Sequence, residues 1–229
     1  MRWWWIFLCA PLCANPTVVR SDSAHYNGTL LTLRGHVYVQ HEMGEIHAAQ
    51  ASLKRDAEKS TKLDFPWIRL EEGVRLQLPK ERELLCHSIF CDYVEKRAYI
   101  EGGLHYSDIH GELSAQRGII DYVEEERTQK PTKVTLLGGV EMRSCKHPQY
   151  ALADHVDYFP DEERLVMTAE NRVLFYDEEH GIELAAREVH ARRDLEGKES
   201  VQGVGDVRFI FNAEELEKLQ DMHVKSRKS

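Results

Sequence analysis

Long hydrophobic runs are nearly absent from this chain of 229 residues, and that absence excludes a polytopic membrane protein. The one apolar stretch is Trp3-Trp4-Trp5-Ile6-Phe7-Leu8-Cys9-Ala10-Pro11-Leu12-Cys13-Ala14. As a helix its twelve residues would reach about 18 Å, short of the ~30 Å hydrocarbon core. Basic charge is also scarce. Lys and Arg number 30 against 39 Asp and Glu, a net charge of −9 with a pI near 5.7. A nucleic-acid binder needs a basic face for phosphate contacts, so that class is excluded. Low-complexity tracts are missing too, and 42% apolar residues with nine tyrosines argue against disorder. What remains is an acidic globular chain, long enough for one ordinary domain or two small ones.

The N-terminus has the order of a secretory signal. Arg2 supplies the positive charge, Trp3 to Ala14 the apolar region, and small residues the end. Residues 1–14 therefore read as a signal peptide, which implies export. The three tryptophans leave a second reading, a retained anchor held at the membrane interface. Leu12 before Cys13 fits a lipoprotein cleavage site poorly. Removal of residues 1–14 takes one arginine and no acid, shifting the charge from −9 to −10. It also leaves three of five cysteines, Cys86, Cys91 and Cys145. On one straight strand Cys86 and Cys91 would point to opposite faces, so they could bridge only across a bend. No disulfide framework is evident.

The chain repeats itself. A glycine followed by alternating apolar residues recurs at Gly35-His36-Val37-Tyr38-Val39 and Gly73-Val74-Arg75-Leu76-Gln77-Leu78. It returns at Gly103-Leu104-His105-Tyr106, Gly139-Val140-Glu141-Met142 and Gly205-Asp206-Val207-Arg208-Phe209-Ile210-Phe211, with a glycine-free copy at Asn171-Arg172-Val173-Leu174-Phe175-Tyr176. The intervals from position 35 are 38, 30, 36, 32 and 34 residues. A second pattern follows most of these starts, as in Ile46-His47-Ala48-Ala49-Gln50-Ala51, Ala151-Leu152-Ala153-Asp154-His155-Val156 and Leu184-Ala185-Ala186-Arg187-Glu188-Val189.

Alternation over four to seven positions is the strand period, so each unit reads as short strands joined by turns. The small residues of the second pattern allow a bend or close packing on a neighbouring strand. Glu124-Glu125-Glu126, Asp161-Glu162-Glu163 and Asp177-Glu178-Glu179 read as solvated turns. A unit of about 34 residues cannot bury its apolar face alone, so the units must stack into an elongated all-β roll or solenoid. Residues 15–211 form that region. In 212–229, Asn212 and Glu215 make a capping pair, and Leu216, Leu219 and His223 fall near one face. Residues 212–224 are predicted to be a short helix covering the last strand edge, with a basic tail from Lys225 to Ser229.

Thr32-Leu33-Arg34-Gly35-His36-Val37-Tyr38-Val39-Gln40, followed by Glu45 to Leu53, resembles the opening of the OstA-like (LptA) family. Leu136-Leu137-Gly138-Gly139-Val140-Glu141-Met142 with Ala151 to Tyr158 repeats that signature. The resemblance spans roughly residues 26–211. It implies an open β-jellyroll of stacked antiparallel strands that carries lipopolysaccharide across the periplasm. It also implies inner- and outer-membrane transport components sharing the fold as partners, and possible head-to-tail homo-oligomers. The greater length and the added C-terminal helix are departures from the family pattern, and polymerisation needs a free strand edge at each end.

Acyl chains in water cost roughly 0.8 kcal/mol per exposed CH₂, so a continuous apolar trough would hold them. Alternation marks Leu33, Val37, Val39, Val74, Leu76, Leu78, Leu104, Tyr106, Val140, Met142, Val173, Phe175, Val207, Phe209 and Phe211 as the inward set, where core packing competes with lipid contact. A structural β-scaffold without lipid is the rival reading. Catalytic readings fail on spacing. In His41-Glu42-Met43-Gly44-Glu45-Ile46-His47 the second histidine comes six residues after the first, where a zinc helix needs four. Gly203-Val204-Gly205 lacks the third glycine of a dinucleotide loop and reads as the turn before the final strand. No nucleophile, metal set or cofactor motif stands out, and the expectation is a non-enzyme.

Overall fold

The computed structural model describes residues 18–41, 44–55, 65–125, 128–145, 148–193 and 198–211. The expected signal (1–14) and C-terminal helix (212–224) lie outside them. The described residues form one antiparallel sheet of sixteen strands and no α-helix. No described helix is long and apolar enough to cross a membrane.

Eight strands are long and bent: β3 (Leu30–His41), β4 (Gly44–Lys54), β5 (Trp67–Leu78), β6 (Arg82–Asp92), β11 (Thr128–Ser144), β12 (Gln149–Phe159), β13 (Arg164–Asp177) and β14 (Ile182–Arg193). The other eight are the halves of four broken strands. They are β1 (Val18–Arg20) with β2 (Ser23–Tyr26), β7 (Arg97–Glu101) with β8 (Leu104–Asp108), β9 (Gly111–Ala115) with β10 (Arg117–Glu125), and β15 (Glu199–Val204) with β16 (Arg208–Phe211). Register shows the equivalence: β7 pairs with Ser88–Asp92 of β6, while β8 pairs with Glu83–Leu85 of the same strand. The described residues thus make twelve bent rungs, each hydrogen-bonded to the next, and among them the first does not pair with the last. At about 4.8 Å per rung the stack extends roughly 50 Å. This is an all-β, open jellyroll.

At Gly35, Gly73 and Gly138–Gly139 the repeated glycine is a kink within one long strand, whereas Gly103 and Gly205 stand between the two strands of a broken rung, Gly205 in the turn before the final strand as expected. Gly35 and His36 of β3 together face one residue of β4, shifting the register between Arg34 and Val37. Both lie in the left-handed region, at φ 73° and 46°. Glu72–Gly73, Gly138–Gly139 and Gly205–Asp206 adopt the same pair of positive φ values. A Cβ on Gly138 would also meet the side chain of Gln116 at 2.6 Å, so glycine is needed there twice over. The glycine-free copy pays for its lack. In β13 the shift runs from Thr168 to Val173, four intervening residues instead of two, and none has a positive φ.

The kinks divide every rung into two limbs that face each other. Limb one contains Leu33, Leu70, Ile89, Ile100, Ile120, Leu136, Val156 and Met167. Limb two contains Val37, Leu76, Leu84, Tyr106, Val140, Phe175 and Leu184, and all of these belong to one buried cluster. The alanines of the second pattern, Ala48, Ala51, Ala151, Ala153 and Ala186, flank the kinks and are buried. Small side chains there let the limbs close, as their spacing suggested. Outward positions carry ion pairs such as Arg75–Glu83 (2.5 Å), Arg97–Asp121 (2.5 Å) and Lys133–Asp157 (3.0 Å).

Candidate functional site

The inner face is one surface assembled from alternate residues of every rung. Leu33 of limb one and Val37, Val39, Val74, Leu76, Leu104, Tyr106, Val140, Met142, Val173 and Phe175 of limb two are all 7% exposed or less. Leu78 is half-buried at the end of its limb. Val207 and Phe209 are placed differently. Phe209 pairs with the fully buried Leu184, so its register is inward, yet Val207 is 42% and Phe209 46% exposed. They stand on the last rung, against which no further strand stacks among the described residues. Phe211 pairs with Ile182 in the same strand, and its side chain lies outside the described set.

All of these candidates except Leu33 come from limb two. The opposing half of the face, including Ile68, Leu70, Ile100, Ile120, Tyr122, Val134, Leu136, Val156, Tyr158, Leu165 and Met167, was not among them. The signal was present, since Val134-Thr135-Leu136 and Ile68-Arg69-Leu70 alternate just as well. They precede the glycine, and the inward set, taken from the alternation after each glycine, includes only Leu33 from before one.

No strand of limb one pairs with a strand of limb two among the described residues. The limbs are joined covalently at the kinks and otherwise meet through side chains. A Cβ on Gly118 of limb one would come 3.0 Å from Leu104 Cδ2 of limb two, which measures how closely they approach. Parting the limbs would break no ladder hydrogen bonds, whereas separating two rungs would break a full ladder. In this conformation the central space is filled, with Val140, Val156, Val173, Leu184 and Val189 fully buried.

The open seam between the limbs is edged by polar groups. Tyr106 directs its hydroxyl to Asp108 Oδ2 (3.4 Å), and Tyr122 donates to the Asp92 carbonyl (3.2 Å). Burial pushes the Tyr106 and Tyr158 phenols above their ordinary range, so both stay neutral at any physiological pH. Asp177 corrects the reading of its acidic cluster as solvated turn. It ends β13 facing inward, 7% exposed. Gln149 Nε2 donates to it at 2.9 Å, the His180 backbone N–H donates at 3.1 Å, and His180 Nδ1 lies 3.1 Å away. Burial pushes the Asp177 carboxyl up, but these hydrogen bonds outweigh it and hold it below the usual carboxylate range. Beside it a cavity of about 30 Å³ lies between the limbs, lined by Gln149 and Phe175 on one side and Tyr158, Leu165 and Ala191 on the other. That is room for about one water molecule.

Cys86, Cys91 and Cys145 are free thiols. Cys86 and Cys91 sit on opposite limbs of β6, and burial pushes the Cys86 thiol up to about 12. Among the described residues no group of three His, Cys, Asp or Glu side chains could hold a metal ion.

No family model matches the chain, and no curated protein matches it. Among solved structures it is similar to LptH of Pseudomonas aeruginosa, the LptA-homologous periplasmic component of the lipopolysaccharide transport device. The match covers 86% of this chain and 95% of that one, at 11% identity and a TM-score of 0.22. A score that low carries no argument about ancestry or role. The jellyroll assignment stands on the strand pairing and the two-limbed core themselves.

Proposed function

We propose that the chain is a non-catalytic periplasmic carrier whose inner face shields lipopolysaccharide acyl chains between the inner and outer membranes. The observation that carries this reading is a single apolar face running the length of the stack and reaching its surface at both ends. Val19 and Tyr26 on the first rung are each 49% exposed, and Val201 on the last is 38% exposed, although all three are inward by register. A twelve-carbon chain would gain about 9 kcal/mol on leaving water for such a face. Entry between the limbs exchanges side-chain contacts for acyl contacts without unzipping the sheet. The choice of lipopolysaccharide rests on the sequence signatures at Thr32–Gln40 and Leu136–Met142. Transport components sharing the fold would continue the stack at a terminal rung, as would a second copy in head-to-tail array. The first 14 residues serve as export signal or as inner-membrane tether.

The fully buried centre favours one rival, a structural scaffold of the cell envelope that binds no lipid. Photo-crosslinking in cells separates them. Probes at Val39, Met142 and Phe209 should form lipopolysaccharide adducts, while an outward probe at Glu141 should not. Silence from all three inward positions would leave the scaffold.

A further inference from the structure

The two most exposed large apolar side chains among the described residues are Val94, at 72%, and Ile109, at 59%. One exposed aliphatic residue needs no explanation. These two occupy opposite ends of a single rung. Val94 lies in the turn that leads into β7, and Ile109 in the turn that leaves β8. One therefore stands on each lip of the open seam, at the sixth of the twelve rungs. The other lip turns that are fully described are polar: Pro79-Lys80-Glu81, Pro160-Asp161-Glu162-Glu163 and Glu178-Glu179-His180-Gly181.

Each apolar lip is tied to a buried tyrosine just inside it. Asp108 Oδ1 accepts the His110 and Gly111 N–H groups at 2.7 and 3.0 Å, closing the turn that carries Ile109. Its Oδ2 accepts from the Tyr106 hydroxyl at 3.4 Å. On the other lip Asp92 Oδ1 accepts the Val94 and Glu95 N–H groups at 2.9 and 3.0 Å, and its carbonyl accepts from Tyr122. The stack is also cut along its spine here. β7–β8 and the next rung, β9–β10, are broken at the kink, while β3 to β6 and β11 to β14 run through it unbroken. Between β7 and β8 two successive glycines, Gly102 and Gly103, hold φ of 78° and 80°. A rung whose ladder is interrupted at its bend, with glycines to absorb rotation there, opens more easily than its continuous neighbours.

We propose that β7–β8 and β9–β10 form a side port in the seam, through which an acyl chain passes between Val94 and Ile109 and past Tyr106 and Tyr122 to the inner face. This rests on the carrier reading and adds to it a point of entry at the middle of the stack. The lips offer the alkyl chain apolar surface before the limbs part, and the tyrosine ties release as the two turns move outward. Opening separates limbs and not rungs, so the ladders that bury the middle of the stack stay intact. A port lowers the barrier in both directions and leaves the end states alone. Its residues therefore set the rates of loading and release, and not the affinity.

The test follows fluorescent lipopolysaccharide binding to the full chain by stopped flow. V94D/I109D should slow association and dissociation alike, each at least fivefold, with Kd within twofold of the parent. K80D, which changes the net charge equally at a polar lip, should alter neither rate. Y106F/Y122F unties both turns and should raise both rates at least twofold. Unchanged rates in V94D/I109D, equal slowing in K80D, weaker affinity with unchanged association, or unchanged or slower rates in Y106F/Y122F would each overturn the port. Sedimentation of the parent, but not of V94D/I109D, with phosphatidylethanolamine vesicles would make the tips a membrane contact and also overturn it. No binding to the parent would overturn the carrier reading and the port with it, whereas normal binding with unchanged variant rates overturns the port alone.

Discussion

The central rungs and the terminal rungs share one sequence pattern but have opposite surroundings. Val140 and Val173 in the middle are fully buried, while Val201 and Val207, built from the same alternation, are about two-fifths exposed. Side-chain identity is the same, and what differs is whether a rung stacks on both sides. In a quasi-one-dimensional stack each rung is buried by its neighbours, so stability concentrates in the middle and reactivity at the ends.

The largest test of that contrast places a charge in each environment. Val140→Asp should cost about 4 kcal/mol or more, because a buried unpaired carboxylate has no compensating partner. Val201→Asp should cost under about 1 kcal/mol, because water reaches it. Denaturant midpoints of the two variants measure the gap, and equal losses would break the distinction.

A smaller difference is expected at the glycines. Gly138→Val must hold a β-branched residue at φ 80° and push into Gln116, which should cost about 1–3 kcal/mol. Gly28, in the first hairpin at φ 98°, has nothing within 4 Å of an added Cβ. Gly28→Val should therefore lose less, only the backbone component, and thermal unfolding of the two variants measures the difference.

The smallest effect is confined to acid. Asp177 has a folded-state pKa held below its unfolded value of about 3.9. Its contribution to stability is therefore present above about pH 4 and disappears as pH falls through the lower folded value. Asp177→Asn should flatten the loss of stability below pH 4. Denaturant titrations of the parent and the variant from pH 6 to 3 compare them.

The strand period and the 30–38-residue spacing made the all-β stack legible, because both follow from how a pleated chain must bury one face. The direction of the bend was not legible. A glycine with alternation after it, as at Gly139-Val140-Glu141-Met142, looks the same whether it opens a strand or kinks one. Only the register of β11 against β12, continuous on both sides of Gly138–Gly139, distinguishes them. Half of the inner face was missed for that reason. Asp177 was misread because its neighbours Glu178 and Glu179 are solvated, and nothing local reports that Gln149, 28 residues away, reaches it.

By itself the sequence determined the class of the fold and the alternation that supplies an apolar face, since periodicity is a local property of the chain. The tertiary structure decided that the face is split into two limbs, that those limbs meet without a ladder between them, and that the terminal rungs pair on one side only among the described residues. Those are properties of stacking and register. They depend on which rung lies beside which, and no stretch of residues encodes its neighbours within its own period.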